Sequence, residues 1–195
     1  THGRTHLLLS GRVAADGAPK HPYVDFANEQ YTGAAVATLA ARGRKKLGIL
    51  LPHEGATFRE HLLNGFNAAC KAHGVQGRAV SKLDIDGSAD HVYTWAAAQA
   101  RKYDGLVVTR ESILIALMGG LTDCNLSIGR DIDVVTKYST TLPLYIRQPL
   151  LGCFEDIALT GELIARNLLE QLDPGQTHTP LQTLLTPPPI EVLHE

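Results

Sequence analysis

The stretch Leu39-Ala40-Ala41-Arg42-Gly43-Arg44-Lys45-Lys46-Leu47-Gly48-Ile49-Leu50-Leu51 reads as the end of a helix, a stop and a buried strand. Upstream, Ala34, Ala35, Leu39 and Ala40 recur at helical spacing, and Asn28 stands where a cap would open that helix. Gly43 supplies the left-handed residue that closes it, and Leu47–Leu51 is a short apolar run suited to burial in a sheet. Tyr23–Phe26 is a strand ahead of the helix, so the region is a strand, helix, strand unit of the kind that builds a mostly parallel sheet. The cations Arg42, Arg44, Lys45 and Lys46 allow two readings: a nucleic-acid patch, or a helix C-terminus where positive charge meets the negative end of the dipole. The cap at Gly43 favours the second.

The same alternation continues outward. A helix carries Phe58, Leu62, Leu63, Phe66 and Ala69 until Gly74 ends it, and Val80–Ile85 is extended. A helix over about 90–102, a strand at Gly105–Val108 and a helix from Ser112 to about Leu121, apolar nearly all round, come next. Ile132–Val135 and Leu144–Ile146 read as strands, Phe154–Leu172 as a long amphipathic helix, and Leu181–Leu185 as a last strand before Pro187-Pro188-Pro189 breaks regular structure. Residues 5–20 and 173–180 have loop and linker chemistry.

Composition narrows function. A net charge of −2 argues against this segment gripping phosphate backbones itself, since nucleic-acid modules carry a basic excess. No apolar run approaches the roughly 20 residues of a membrane helix, so no membrane partner is expected. Cys70, Cys124 and Cys153 are odd in number and scattered, which suits a reducing cytoplasm and suggests neither a disulfide framework nor a zinc site. No GxSxG elbow, P-loop or GxGxxG occurs, and His53-Glu54 lacks the second histidine of HExxH. The expectation is a protein that is not an enzyme and uses no metal or cofactor. Thr1-His2-Gly3-Arg4 resembles mid-protein sequence, so the chain is read as a fragment.

Several blocks in order carry a family resemblance: Asn28-Glu29, the Leu39–Leu50 stretch, Asn64-Gly65-Phe66, Tyr103–Val108 ahead of Arg110-Glu111, Asp131–Val135, Ile146-Arg147-Gln148-Pro149, and Glu155-Asp156-Ile157-Ala158 with Gly161 and Leu168-Leu169. Together they resemble the effector-binding region of lactose-repressor (LacI) family transcription regulators. The resemblance implies an α/β, periplasmic-binding-protein-like fold of two doubly wound parallel-sheet subdomains, the N-terminal one incomplete here. Residues 1–26 and 148–174 would be its remnant, and 27–147 with 175–195 the C-terminal subdomain. It further implies a homodimer holding a small effector in the inter-subdomain cleft, with operator DNA met only through a helix-turn-helix head missing from this chain.

Ligands of open α/β sheets bind outside the carboxyl ends of the strands. The expected effector contacts are therefore Arg4, Asn28, Arg59, Trp95, Arg110, Glu111, Lys137, Tyr138 and Gln148, Trp95 having a core role as its alternative. Leu62 stands where the family has an arginine, Ala27 where an aspartate is common, and Tyr138 where it has an acid. The cations Arg4, Arg59, Arg110, Lys137 and Arg147 turn the expectation toward a sugar phosphate or sugar acid beside neutral sugars. Ile113, Leu114, Leu117 and Met118, on the apolar helix, are the expected dimer interface, core packing being the alternative. The rival reading is a periplasmic sugar-binding protein of a transport system, which an upstream signal peptide would reveal. Induction and corepression stay open.

Overall fold

A computed structural model describes residues 9–10, 22–51, 56–80, 88–172 and 182–194. In chain order the elements are β1 (Leu9–Ser10), β2 (Tyr23–Phe26), α1 (Asn28–Ala41), β3 (Lys46–Leu50), α2 (Ala56–His73), β4 (Gln76–Val80), α3 (Ala89–Gln99) and β5 (Gly105–Val108). Then follow α4 (Leu114–Asp123), β6 (Asp133–Tyr138), α5 (Leu142–Tyr145), β7 (Leu151–Phe154), α6 (Ile157–Leu172), β8 (Gln182–Leu185) and β9 (Glu191–Val192).

The chain divides into two compact units, residues 1–27 with 156–186 and residues 28–155 with 187–195. In the smaller, β1, β2 and β8 form a parallel sheet in that order, with Tyr23 to Phe26 registered on Gln182 to Leu185. This pairing places residues 182–186 in the smaller unit, whereas the sequence reading grouped 175–195 with the larger. Residues 148–155, grouped with the smaller unit from sequence, belong to the larger because β7 pairs with β6.

The larger unit is built on six strands in the order β4-β3-β5-β6-β7-β9, parallel throughout except for the last pair. The reversal of direction between β3 and β5 is a doubly wound topology, and its switch point lies between their carboxyl ends. Both faces are covered, as continuous apolar strands require. On one face α1 and α2 approach closely enough that a Cβ on Gly105 would meet Leu39, and one on Gly77 would meet Phe66 and Cys70. On the other face Leu50, Leu106, Val108 and Val134 pack with Val92 and Trp95 of α3 and with Leu114, Leu117 and Leu121 of α4. Gly65 permits the crossing of α1 and α2: a Cβ there would fall 2.1 Å from the Glu29 carbonyl oxygen.

The basic run resolves into a clamp on the amino ends of the strands. Asp133 is fully buried and accepts hydrogen bonds from Arg42 Nε at 2.9 Å and Arg44 Nε at 2.8 Å. Arg44 also donates to the Gly129 and Arg130 carbonyls, while the Asp104 carboxylate accepts the backbone N–H groups of Lys45 and Lys46. Side chains from three segments are thereby joined across β3, β5 and β6. Gly43 takes the left-handed conformation at φ 86°, as its place after α1 requires.

Three assignments differ from the sequence expectation, the first being β1 (Leu9–Ser10), a strand within the 5–20 segment expected as a loop, which pairs with β2. Leu144–Ile146 is not a strand: residues 142–145 form the short helix α5, because Pro143 at its start is compatible with a first helical turn. The strand of that region is β7, which the sequence reading had partly absorbed into the following helix. Extended structure before α3 occupies Gln76–Val80, earlier than expected, because β4 pairs with β3 from Lys46 onward. Residues 81–85 lie outside the described set.

Candidate functional site

Lys137 lies near the carboxyl end of β6, where burial of an ammonium demands partners. Its side chain is almost inaccessible, and Nζ sits 3.0 Å from Asn28 Oδ1 and 2.9 Å from Glu155 Oε2. The Phe58 ring of α2 covers it, with 5.0 Å between Nζ and the ring centroid. Strand geometry accounts for the convergence. Lys137 registers on Cys153, and the Glu155 N–H donates to the Tyr138 carbonyl at 2.7 Å, extending the ladder by one step. With a side-chain period of two, Lys137, Cys153 and Glu155 share the face on which α1 and α2 lie.

Tyr31 of α1 belongs to the same region. It is fully buried, and its hydroxyl donates to the Val108 carbonyl at the end of β5 at 2.8 Å. Burial first, then the charges of Cys153 and Glu155, push its ionisation well above the ordinary tyrosine range. Thr109 donates to the Leu50 carbonyl at 2.8 Å, linking the ends of β3 and β5 at the switch point. Burial also raises the Cys153 thiol to about 11. At neutral pH both groups are protonated, so neither acts as a nucleophile. What remains is a balanced ammonium–carboxylate pair, an amide and two aromatic rings. Glu155 is partly exposed, and its second oxygen has no partner among the described residues. Such a set can donate hydrogen bonds to hydroxyl groups and accept hydrogen bonds from them. Among the described residues no three His, Cys, Asp or Glu side chains are grouped to hold a metal ion, and no helix is long and apolar enough to cross a membrane.

The structure separates the sequence-derived candidates. Asn28 and Lys137 are brought together. Glu111 is half-buried and accepts the backbone N–H groups of Ser139 and Thr140, so it holds the segment after β6. Arg110 is exposed at the end of β5, and Arg59 is half-buried, about 100° round α2 from its neighbour Phe58. Tyr138 faces away from Lys137, as adjacent strand residues must, and its ring tilts against Phe154 with 5.4 Å between centroids. Trp95 is a core residue, 4% exposed, its ring 5.9 Å from that of Tyr103 at the amino end of β5. Gln148 is also at the amino side, before β7, where it lines a hollow of about 340 Å³ with Met118, Asn125 and Arg130. It registers near Ile132, about 20 Å along the strands from Tyr138. Arg4 lies outside the described residues.

The expected interface residues are corrected likewise. Ile113, Leu114 and Leu117 are core, because this face of α4 packs on the sheet and on α3. Among the exposed apolar side chains are Ile115 of α4, 60% exposed, and, on α5, Leu144 and Tyr145, the last 78% exposed. The Glu111 hydrogen bonds tie the turn that opens α4 to the segment entering α5, so these side chains stand on neighbouring elements. Met118 is half-buried.

Sequence reasoning missed Glu155, Tyr31 and Phe58. The alternation that pairs Lys137 with Cys153 and continues to Glu155 was the signal for the first. Tyr31 and Phe58 follow only once the helices are seated on the sheet.

A profile of the periplasmic binding protein-like domain matches residues 36–192. The chain belongs to that family. Within this periplasmic-binding-protein-like fold it is similar to a regulatory protein of the LacI family from Chloroflexus aggregans, at TM-score 0.79 and 18% identity over 96% of this chain and 68% of that one. It is also similar to the transcriptional regulator CelR in complex with cellobiose, at TM-score 0.80 and 18% identity over 95% and 57% of the two chains. A dimeric Lac repressor matches at TM-score 0.71 and 22% identity, over 87% and 62%. The chain therefore spans roughly three fifths to two thirds of these structures. The α/β fold inferred from the LacI resemblance is the fold observed. No curated protein matches the chain by sequence.

Proposed function

We propose that this periplasmic-binding-protein-like chain is the ligand-sensing part of a LacI-type transcription regulator working in the cytoplasm. It holds a sugar or sugar-derived anion at the carboxyl side of the larger unit's sheet and meets operator DNA through a separate head. One observation carries the reading: the Lys137–Glu155 pair with Asn28 and Phe58 at the carboxyl side of a doubly wound sheet. The CelR relative, a complex with cellobiose, supports a saccharide. Of the two ligand classes, Lys137 favours the neutral one, because Glu155 already balances its charge. Binding shifts a conformational equilibrium only by the ligand's differential affinity for the two states.

A thermal-shift screen with neutral mono- and disaccharides, sugar phosphates and sugar acids tests this. A ligand held at about 100 times its Kd is expected to stabilise the fold by about 2.7 kcal/mol. No shift with any member of the three sets sinks the reading.

The chain is further proposed to pair with a second copy through Ile115, Leu144 and Tyr145, since exposed apolar side chains on neighbouring elements of a folded unit suit a contact surface. The dimeric Lac repressor to which the chain is similar supports it. Sedimentation velocity is expected to give a dimer for the unaltered chain and a folded monomer for Ile115→Lys combined with Tyr145→Lys. A monomer before any substitution, at tens of micromolar, refutes the pairing.

A further inference from the structure

At the amino side of the larger sheet, opposite the Lys137 site, a hollow of about 230 Å³ opens beside the edge strand β4. Its walls carry three cations from three elements: Lys46 at the start of β3, Arg78 on β4 and Lys102 in the turn after α3. The backbone dictates their convergence. Lys46 registers on Gln76 and Gly48 on Arg78, so with a period of two these side chains share a face. Gly48 has no side chain to fill that face, and a Cβ on it would lie 3.1 Å from the Tyr103 ring, which thus forms part of the hollow's wall.

Charge is unbalanced here. Among the described residues no carboxylate lines the hollow, although the chain as a whole is slightly acidic. Among the described residues, Lys46 and Arg78 have no ion-pair partner, and Lys102 donates only to the neutral Gln99 Oε1, at 3.0 Å. The Asp104 carboxylate, next in the chain to Tyr103, is engaged by the Lys45 and Lys46 backbone N–H groups. The outer edge of β4 has no strand partner among the described residues, so alternate N–H groups at Gly77 and Ala79 point outward beside these cations. Like charges around a concavity raise the local potential, and outward amides beside them complete the donor set that a tetrahedral oxyanion accepts.

We propose that this hollow binds a phosphate-bearing anion, either inorganic phosphate or a small phosphate monoester, at a site separate from the sugar site. Trp95 is the chain's one tryptophan, and its ring is 5.9 Å from that of Tyr103, so its fluorescence reports on occupancy.

The test is a titration of the whole chain with inorganic phosphate and with glycerol phosphate, against potassium chloride at matched ionic strength. Trp95 emission is followed beside the heat of binding. Saturable binding is expected for at least one phosphate compound and not for chloride, weakened about tenfold or more in Arg78→Gln combined with Lys102→Gln. Equal affinity for both compounds assigns the site to the phosphate group alone, and preference for the ester adds its organic part; either supports the proposal. Lys137→Met combined with Glu155→Leu, which removes both charges of the other site, is expected to leave these titrations unchanged. The proposal falls if no saturable binding distinct from chloride occurs, or if the Arg78 and Lys102 substitutions leave it intact. It also falls if Lys137→Met combined with Glu155→Leu abolishes the binding, which would assign the anion to the other site.

Discussion

Asp133→Asn is expected to lower stability by about 3 kcal/mol, a fall in Tm of about 6–12 °C for a chain of this size. The carboxylate is fully buried and accepts hydrogen bonds from both Arg42 and Arg44. The amide keeps its shape but removes the charge that two guanidinium groups face. Arg44 is the more enclosed of the two, so the loss falls mainly on a cation that water only partly reaches. Urea unfolding measures the effect; a change below about 1 kcal/mol would mean that the clamp is an ordinary surface pair.

The pH dependence has a definite sign. Burial raises the Asp133 carboxyl, but the hydrogen bonds from Arg42 and Arg44 outweigh it and hold the group below the usual carboxylate range. A folded-state pKa below the unfolded one gives stability that is present above the unfolded value, about 3.9, and lost as pH falls through the folded value. Acid unfolding of the unaltered chain should therefore steepen below about pH 4. In Asp133→Asn that steepening is reduced rather than abolished, since Asp131, held at about 2 chiefly by its hydrogen bond from Arg130, titrates in the same range.

These carboxylates also explain what was legible before any coordinates. Arg42, Gly43 and Arg44 announced a helix end, and the cap is real, but Asp133 lies 91 residues from Arg42, beyond any local pattern. Apolar runs such as Gly105–Val108 were legible because strands buried on both faces leave a continuous signal. β7 was not. It has four residues, one of them Gly152, and its end at Phe154 merges with the apolar positions of α6. Without β7, Glu155 could not be placed beside Lys137, whereas Gln148, expected from the family resemblance, lies at the amino end of the same strand. Tyr138 was excluded by alternation alone once Lys137 was placed. Trp95 required knowledge of α3 packing on α4, a tertiary fact.

The second large effect concerns Lys137. Replacing it with Met leaves the Glu155 carboxylate and Asn28 Oδ1 without their cation, and stability should fall by about 2–4 kcal/mol. Affinity for whichever saccharide the thermal-shift screen identifies should fall about 100-fold or more, since a polar group aligned to meet a ligand hydroxyl is lost together with its neighbours' alignment. Stability and binding are separable by removing both charges. In Lys137→Met combined with Glu155→Leu no uncompensated carboxylate remains, so stability should return close to that of the unaltered chain. Binding should not return, because a hydroxyl-rich ligand entering that pocket would meet apolar surface in place of donors and acceptors. Calorimetric titration of the refolded double variant decides the matter. Recovery of full affinity along with stability would make the pair a structural pin and place saccharide recognition elsewhere on the sheet.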